Sequence, residues 1–330
     1  MDQQEKTVWH WIARGVLGLT ALVGVSAVLG FSYQQFSERR DVVAYPAPGQ
    51  YYDVGNVRLH MRCDGEGSQA VVLLSGMGNP VSSFGPLSRA LQSDARLCAY
   101  DRDGLGWSEE SGGQRDAGLA ADQLARLLDV AGIEGRVMLV GHSYGGLVAR
   151  VFTHKYSARV SGLVLLDSSH EDMAERFPPV AQAGFHDLLE GFQLAALLNR
   201  FGVPRILGLF KPAIDGLEGK DFQTSLAHLN AVSHMVGTGE EAKGWARSAD
   251  AARLARVQGF GDLPLDVFVA GDWPEAMLPS WLAMQRELAS LSSRSRFHLV
   301  EGANHPQIGM DARYVPRVAA AIRARLVELQ

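Results

Sequence analysis

Cysteine is scarce in this chain, because only Cys63 and Cys98 occur among its 330 residues. A disulfide-dense scaffold and a cysteine-rich zinc domain are therefore excluded. Basic charge is not in excess either, since 31 Lys and Arg are set against 36 Asp and Glu, and no basic cluster is interleaved with aromatic residues. This balance gives no support to nucleic-acid binding.

Motifs for phosphate and metal binding are also missing. The stretch Gly76-Met77-Gly78 has neither the third glycine of a dinucleotide fingerprint nor the Lys-Ser/Thr pair of a P-loop. The run His170-Glu171-Asp172 could chelate a cation, but it lacks the i, i+4 histidine pair of a helical zinc site. We therefore expect no cofactor and no metal, and we interpret this run as a solvated loop.

Charge is absent from one long apolar stretch, residues 15–33. A helix of this length can cross a bilayer, and Trp9 and Trp11 on one side and Phe31 and Tyr33 on the other suit the two interfaces. We expect a transmembrane anchor within residues 1–34, followed by a polar linker at residues 35–49. The alternative is a cleaved signal peptide with a small-residue site at 25–27, which would give a secreted protein.

Positive charge around this stretch does not set its orientation. Lys6 and Arg14 precede it, and Arg39 and Arg40 follow it, so the two sides are equal. Long domains translocate largely regardless of charge, which favours a short head inside and the remaining domain outside. We therefore expect a single-pass protein with its domain on the extracytoplasmic side, periplasmic or lumenal.

The rest of the chain alternates between strand and helix patterns. Two short strand candidates form a hairpin, and six apolar runs that suit buried strands follow: 51–54 and 57–63, then 70–75, 96–100, 137–140, 161–167, 265–271 and 296–300. Helix candidates separate the later strands: 86–92, 118–131, 147–156, 278–291 and 316–328. This order predicts an α/β fold with a doubly wound, mostly parallel eight-stranded sheet.

One region interrupts this alternation, residues 169–261. It contains amphipathic helix candidates such as 185–201 and 222–235, with Gly and Pro between them. We expect it to form a helical cap inserted after the sixth strand. The core would then consist of residues 50–168 and 262–330.

The most informative turn is Gly141-His-Ser-Tyr-Gly145, between the apolar run 137–140 and a helix candidate. A serine in such a strand–turn–helix arrangement has strained backbone and an exposed hydroxyl, and the flanking glycines let strand and helix pass closely. Ser143 is therefore the candidate nucleophile. His142, within the same turn, is interpreted as a packing neighbour.

Five motifs in a fixed order resemble the α/β-hydrolase fold family of the abhydrolase-1 type, over residues 48–327. They are Leu74-Ser-Gly-Met-Gly78, Tyr100-Asp-Arg-Asp-Gly-Leu-Gly-Trp-Ser108, Gly141-His-Ser-Tyr-Gly-Gly146, Leu163-Val-Leu-Leu-Asp167 and Gly302-Ala-Asn-His305. The resemblance does not extend to the substrate, because the cap is the variable part of such enzymes.

A serine nucleophile needs a base and an acid that orients the base. His305 follows the last strand, and both this position and the resemblance indicate it as the base. Relatives supply the acid from either of two strand ends. We favour Asp167, because the alternative, Asp272, lies in a segment that departs from the usual Gly-x-x-Asp by having Pro274 in the fourth position. Glu275 is a third candidate.

The resemblance also implies an oxyanion hole and a disulfide. Elbow geometry and the family pattern assign the two backbone N–H donors to Met77 and Tyr144. In this fold the second strand lies antiparallel beside the strand that ends at Tyr100, so Cys63 and Cys98 are expected within disulfide reach, with Cα atoms about 4.4 to 6.8 Å apart. Such a bond would agree with an oxidising compartment.

These features predict a serine hydrolase that cleaves a carboxylic ester or related acyl substrate through an acyl-enzyme. Leu, Phe and Met in the cap favour an apolar small-molecule substrate. The protein would bind the membrane through residues 15–33. Two alternatives stay open: an amidase or acyltransferase using the same site, and a catalytically inert, membrane-tethered binding module. The sequence carries no feature that sets an oligomeric state.

Overall fold

An eight-stranded sheet forms the centre of the structure, a computed structural model that describes residues 3–67 and 69–329. The strand order is β1-β2-β4-β3-β5-β6-β7-β8, antiparallel at β1/β2 and β2/β4 and parallel elsewhere. The strands are β1 (Gln50–Asp53), β2 (Arg58–Asp64), β3 (Ala70–Leu74), β4 (Arg96–Tyr100), β5 (Val137–His142), β6 (Val160–Leu166), β7 (Leu265–Ala270) and β8 (Ser295–Val300). The predicted doubly wound, mostly parallel sheet is confirmed.

Helices cover both faces of this sheet and fill the insertion between β6 and β7. They are α1 (Gln3–Ala44), α2 (Gly85–Leu91), α3 (Ala117–Val130), α4 (Tyr144–Lys155), α5 (Met173–Arg176), α6 (Pro179–Asn199), α7 (Val203–Leu207), α8 (Gly219–Leu229), α9 (Val232–Lys243), α10 (Trp245–Gln258), α11 (Leu278–Ala289), α12 (Gln307–Met310) and α13 (Val315–Glu328). Short 3₁₀ turns lie at Val81–Phe84, Ser157–Arg159 and Lys211–Ile214.

The continuous apolar runs are buried on both faces of the sheet, as strands between two helical layers should be. Every residue of β5 and β7 is buried. One apolar layer packs the sheet against α3, α4, α10 and α11, and a second packs it against α2 and α13. The carboxyl ends of the parallel strands therefore meet at one edge, which the inserted helices approach.

The insertion differs from the prediction at one helix. The expected helix over 222–235 is divided into α8 and α9, because Ala231 is extended, with φ −80° and ψ 137°. Side chains from elsewhere bind the carbonyl groups at the break: Asn199 donates to Leu229 O at 3.1 Å and Gln34 donates to Asn230 O at 2.6 Å. These tertiary bonds replace the helical ones.

The end of the insertion lies beside the core layer. α10 packs against α3 and α4, and its buried Trp245 and Ala252 belong to the same apolar layer as those helices. The helices that approach the carboxyl edge of the sheet are therefore α5 to α9. The division at 169–261 stays a prediction.

The N-terminal helix is longer than the apolar stretch that identified it. α1 continues to Ala44 and so includes most of the predicted linker at 35–49. No residue of its most apolar window is buried, and it is the one helix in the described residues long and apolar enough to cross a membrane. Beyond the apolar stretch, α1 contacts the inserted helices through Gln34, Glu38 and Asp41.

Candidate active site

Ser143 lies in a sharp turn between β5 and α4. Its φ of 53° and ψ of −123° place a non-glycine residue in a region that costs free energy and persists only where the surroundings enforce it. The flanking glycines explain how the turn fits, since a Cβ at Gly141 would lie 2.5 Å from the Gly146 Cα, and one at Gly145 would overlap the Leu74 carbonyl. The turn aims the Ser143 hydroxyl out of the carboxyl edge.

His305 reaches this hydroxyl from the loop after β8. Its Nε2 lies 3.0 Å from Ser143 Oγ, and its Nδ1 lies 2.6 Å from Asp167 Oδ2. The carboxylate can only accept, so Nδ1 carries the proton and Nε2 accepts from the serine hydroxyl. The structure thus brings Ser143, His305 and Asp167 into one hydrogen-bonded line, although they follow three different strands.

Asp167 is completely buried and fully hydrogen-bonded. Oδ1 accepts from the Ala270 backbone N–H at 3.0 Å and from Trp281 Nε1 at 2.7 Å. Oδ2 accepts from Trp273 Nε1 at 3.1 Å in addition to His305. A buried carboxylate is tolerated where such donors replace water. The two indole donors were not identified from the sequence, because nothing in the local pattern around Trp273 or Trp281 indicates a polar role.

The other acid candidates lie elsewhere. Asp272 and Glu275 are exposed in the loop after β7, and neither carboxylate bonds to His305 in the structure. The Asp272 backbone N–H donates to Ala303 O at 2.9 Å, which ties this loop to the one that carries the histidine. Their side chains therefore border the site without forming part of the hydrogen-bonded line.

The loop after β3 passes directly beside the serine. A Cβ at Gly76 would lie 3.2 Å from Ser143 Cβ, so the Gly76–Met77 backbone approaches the elbow closely. Tyr144 is the first residue of α4, where backbone N–H groups have no partner within the helix. The two predicted oxyanion donors, Met77 in this loop and Tyr144 at the start of α4, therefore lie at the same edge of the sheet.

Comparisons with known proteins agree with this fold. The family described as having the alpha/beta hydrolase fold matches residues 69–206. The chain has the α/β-hydrolase fold. A thermophilic esterase from Thermogutta terrifontis shares the fold, with a TM-score of 0.64 at 23% identity over 85% of this chain and 99% of that one.

This chain matches only part of the length of two curated relatives. An uncharacterized protein of Schizosaccharomyces pombe is 26% identical over 91% of this chain and 60% of its own length. A 2-hydroxy-6-oxononadienedioate/2-hydroxy-6-oxononatrienedioate hydrolase of Burkholderia vietnamiensis is 36% identical over 34% of this chain and 41% of its own length. The chain thus spans about half the length of the curated relatives it matches.

An inserted helix holds the loop after β3. Arg102 donates to the carbonyl oxygens of Ser75 at 2.6 Å and Gly76 at 2.9 Å, and it forms a buried ion pair with Glu241 of α9 at 2.5 Å. His234, also on α9, lies 2.6 Å from the Gly78 carbonyl oxygen. The motif around Arg102 was visible in the sequence, but nothing indicated Glu241 or His234.

His142 packs against the face of the active-site histidine. The two rings lie 4.8 Å apart, and His142 Nε2 donates to the His305 carbonyl oxygen at 2.9 Å. Burial, together with the neighbouring His305, lowers the pKa of His142 to about 3. His142 is therefore neutral near pH 7 and supports His305 without placing a positive charge beside it.

The structure brings His170, Glu171 and Asp172 together, with possible ligand atoms within 4.8 Å of one another. They are buried or half-buried, so the prediction of a solvated loop was wrong. Burial alone would raise the pKa of Glu171, but Arg150 and neighbouring groups lower it to about 2. Arg150, Arg253 and Arg256 pair with the two carboxylates, and this cationic surrounding disfavours a metal ion.

A disulfide links Cys63 and Cys98, which face each other on β2 and β4. Their Cα atoms lie 4.0 Å apart, slightly closer than the sequence led us to expect. Both cysteines of the sequence are thereby used.

A cavity of about 650 Å³ opens beside the histidine. On one side it is lined by the loops after β7 and β8, including Trp273 and His305, and on the other by inserted residues such as Ile214, Leu217 and Phe222. Apolar side chains and a few polar groups are typical of small-molecule sites.

Proposed function

We propose that this protein is a serine hydrolase that cleaves a carboxylic ester through an acyl-enzyme. The observation that supports this proposal most directly is the continuous line of hydrogen bonds from Ser143 through His305 to Asp167. Each group has the partner that its role requires, because the hydroxyl faces a base and the base faces a buried carboxylate.

In the proposed reaction, Ser143 Oγ attacks the ester carbonyl carbon while His305 Nε2 takes the hydroxyl proton. Backbone N–H groups of Met77 and Tyr144 stabilise the charge on the carbonyl oxygen. The imidazolium, held by Asp167, then gives its proton to the leaving alcohol. Water, deprotonated by His305, attacks the acyl-enzyme, and the acid and the free serine are released.

The substrate of this reaction is proposed to be an apolar ester. The cavity beside His305 has apolar inserted residues along one side, and a bound acyl or alkyl chain would remove them from water. The structurally similar protein from Thermogutta terrifontis is itself an esterase.

We also propose that α1 anchors the hydrolase in a membrane, with its catalytic domain on the extracytoplasmic side. The exposed apolar helix supports the anchor, and the disulfide between Cys63 and Cys98 supports an oxidising compartment. The mature protein would then keep residues 15–33 as a membrane span.

A fluorophosphonate probe tests the proposed nucleophile. The probe should label the purified protein at one site, and Ser143→Ala should abolish labelling because the hydroxyl is lost. Ser168→Ala is the matched control, since Ser168 is buried near the same elbow but its hydroxyl bonds to the Ser169 carbonyl. Labelling that persists in folded Ser143→Ala, or that is absent from the folded parent protein, would contradict the proposal.

A further inference from the structure

The helix α1 contacts the inserted helices before its apolar stretch has ended. Ala27, Gly30 and Gln34 are its less exposed positions there, and they lie on one helical face. Gly30 touches backbone, since a Cβ at this position would lie 2.5 Å from the Phe201 carbonyl oxygen. The next inserted residue, Gly202, packs under the Tyr33 ring. The turn after α6 therefore lies at the level where the uncharged run 15–33 ends.

Exposed apolar side chains lie before and after this turn in the chain. We define the α6–α7 surface as the following five residues, all exposed: Leu194, Leu197, Ile206, Leu207 and Leu209. The Leu207 side chain is 65% exposed, and Ile206 and Leu209 are similar. A soluble protein rarely leaves such a group of large aliphatic side chains without a covering partner.

The segment that carries the α6–α7 surface has basic but no acidic residues of its own. Residues 191–210 contain no Asp or Glu. Arg200 and Lys211 are exposed at the two sides of the α7 turn, and Arg205 pairs with Asp41 of α1 at 2.7 Å. Apolar side chains flanked by basic residues are suited to the boundary between the acyl chains and the headgroups of a bilayer.

The same segment leads into the active-site cavity. Leu209 is followed by the turn Lys211–Ile214, and Lys211, Pro212 and Ile214 line the cavity that also contains His305. The α6–α7 surface and the rim of the cavity are therefore formed by consecutive residues of one segment.

We propose that the α6–α7 surface is embedded in the bilayer that holds α1, so that an acyl ester dissolved in the membrane enters the cavity beside His305 directly. The occupant of this surface is thus phospholipid. The proposal rests on the proposed anchor and ester hydrolysis, and it names the membrane as the source of the substrate.

Site-specific fluorescence of the full-length protein in phosphatidylcholine–phosphatidylglycerol vesicles tests this placement. Both natural cysteines are in the disulfide, so Leu207→Cys can be labelled with an environment-sensitive dye. We expect blue-shifted emission, strong quenching by lipids with a nitroxide near the headgroup, and weak quenching by iodide. Val257→Cys is the matched control, because Val257 is 84% exposed and ends α10 near the opposite, amino edge of the strands.

A third dye, attached at Leu19→Cys within α1, distinguishes a failure of this inference from a failure of the proposed membrane anchor. If lipid quenches the dye at Leu19 while iodide quenches the dye at Leu207 as strongly as that at Val257, the anchor stands and the inference is wrong. If lipid quenches neither Leu19 nor Leu207, both are wrong. None of these readouts depends on catalysis, so they can be obtained in a Ser143→Ala background.

A kinetic comparison tests the route of the substrate. The measured quantity is the rate of hydrolysis of a long-chain p-nitrophenyl ester embedded in vesicles, divided by the rate for dissolved p-nitrophenyl butyrate. This ratio should fall several-fold in the triple variant Ile206→Ser, Leu207→Ser, Leu209→Ser. An unchanged ratio would overturn entry from the membrane. A variant without activity on either ester is replaced by Leu207→Ser alone, for which the same ratio decides.

Discussion

Asp167 follows β6 with a φ of 43°, and its two carboxylate oxygens accept four hydrogen bonds. The sequence limited the candidates for the orienting acid to carboxylates that follow strands. It favoured Asp167 over Asp272 only because Pro274 replaces the usual carboxylate. It could not decide further, because the choice depends on which strand end faces the histidine and on indole donors from distant Trp273 and Trp281. These are tertiary properties that no local pattern encodes.

Replacing the candidate acids separately tests their roles. Asp167→Asn should lower kcat by roughly 10⁴-fold, because an amide can donate to Nδ1 and so favour the wrong tautomer of His305. Asp272→Asn is the matched control and should keep kcat near that of the parent. Steady-state hydrolysis of p-nitrophenyl butyrate measures both. A large loss in Asp272→Asn with little loss in Asp167→Asn would reverse the assignment.

His142 makes stability depend on pH. Its pKa is about 6.5 when unfolded and about 3 in the folded protein, where burial disfavours the charged ring. The unfolded state therefore binds more protons between these values, and the free energy of unfolding falls as the pH drops from 6.5 toward 3. The slope from this group is about 1.4 kcal/mol per pH unit.

Denaturant unfolding of the detergent-solubilised protein between pH 4 and pH 6.5 measures this slope. His142→Gln should reduce it by up to about 1.4 kcal/mol per pH unit. The control His186→Gln, at an exposed position, retains His142 and should retain its share of the slope. An identical slope in His142→Gln and the parent protein would show that His142 is not held neutral by the fold.

At the scale of elements, strand and helix positions followed closely from the pattern, because each apolar run fills a strand between two layers. The break between α8 and α9 did not. It depends on Asn199 and Gln34, which bind the carbonyl oxygens at the break and come from helices far away in the sequence. The sequence likewise gave no sign that α9 would bind the loop after β3.

The link from α9 to that loop gives a prediction about catalysis. In Glu241→Gln the buried Arg102 loses its ionic partner, which should cost about 3 to 5 kcal/mol of stability. Arg102 also holds the Ser75 and Gly76 carbonyl oxygens, so the Met77 N–H should be misplaced and kcat should fall by roughly tenfold or more.

Melting temperature and steady-state kinetics on p-nitrophenyl butyrate measure these two effects. Glu240→Gln is the matched control, since Glu240 is the adjacent acid of α9 and pairs only with Lys243 in the structure. If Glu241→Gln is destabilised but keeps the kcat and KM of the parent, Glu241 has a purely structural role.

At the scale of the whole molecule, the parallel sheet gathers the ends of β5, β6 and β8 at one edge. This topology explains why a serine, an aspartate and a histidine far apart in the chain could be assigned to one site from sequence. The position of α1 against the inserted helices could not be predicted in this way. It depends on close backbone contact at Gly30 and on polar bonds from Gln34, both of which lie outside the alternating pattern.

The central claim is that Ser143 and His305 together form and release an acyl-enzyme. The most direct measurement is rapid acid quench of the protein with p-nitrophenyl butyrate, followed by mass spectrometry of its peptides. We predict a burst of p-nitrophenol and a butyryl group on the peptide that contains Ser143, with both absent from His305→Ala. A butyryl group on another residue, or the same burst in His305→Ala, would contradict the account.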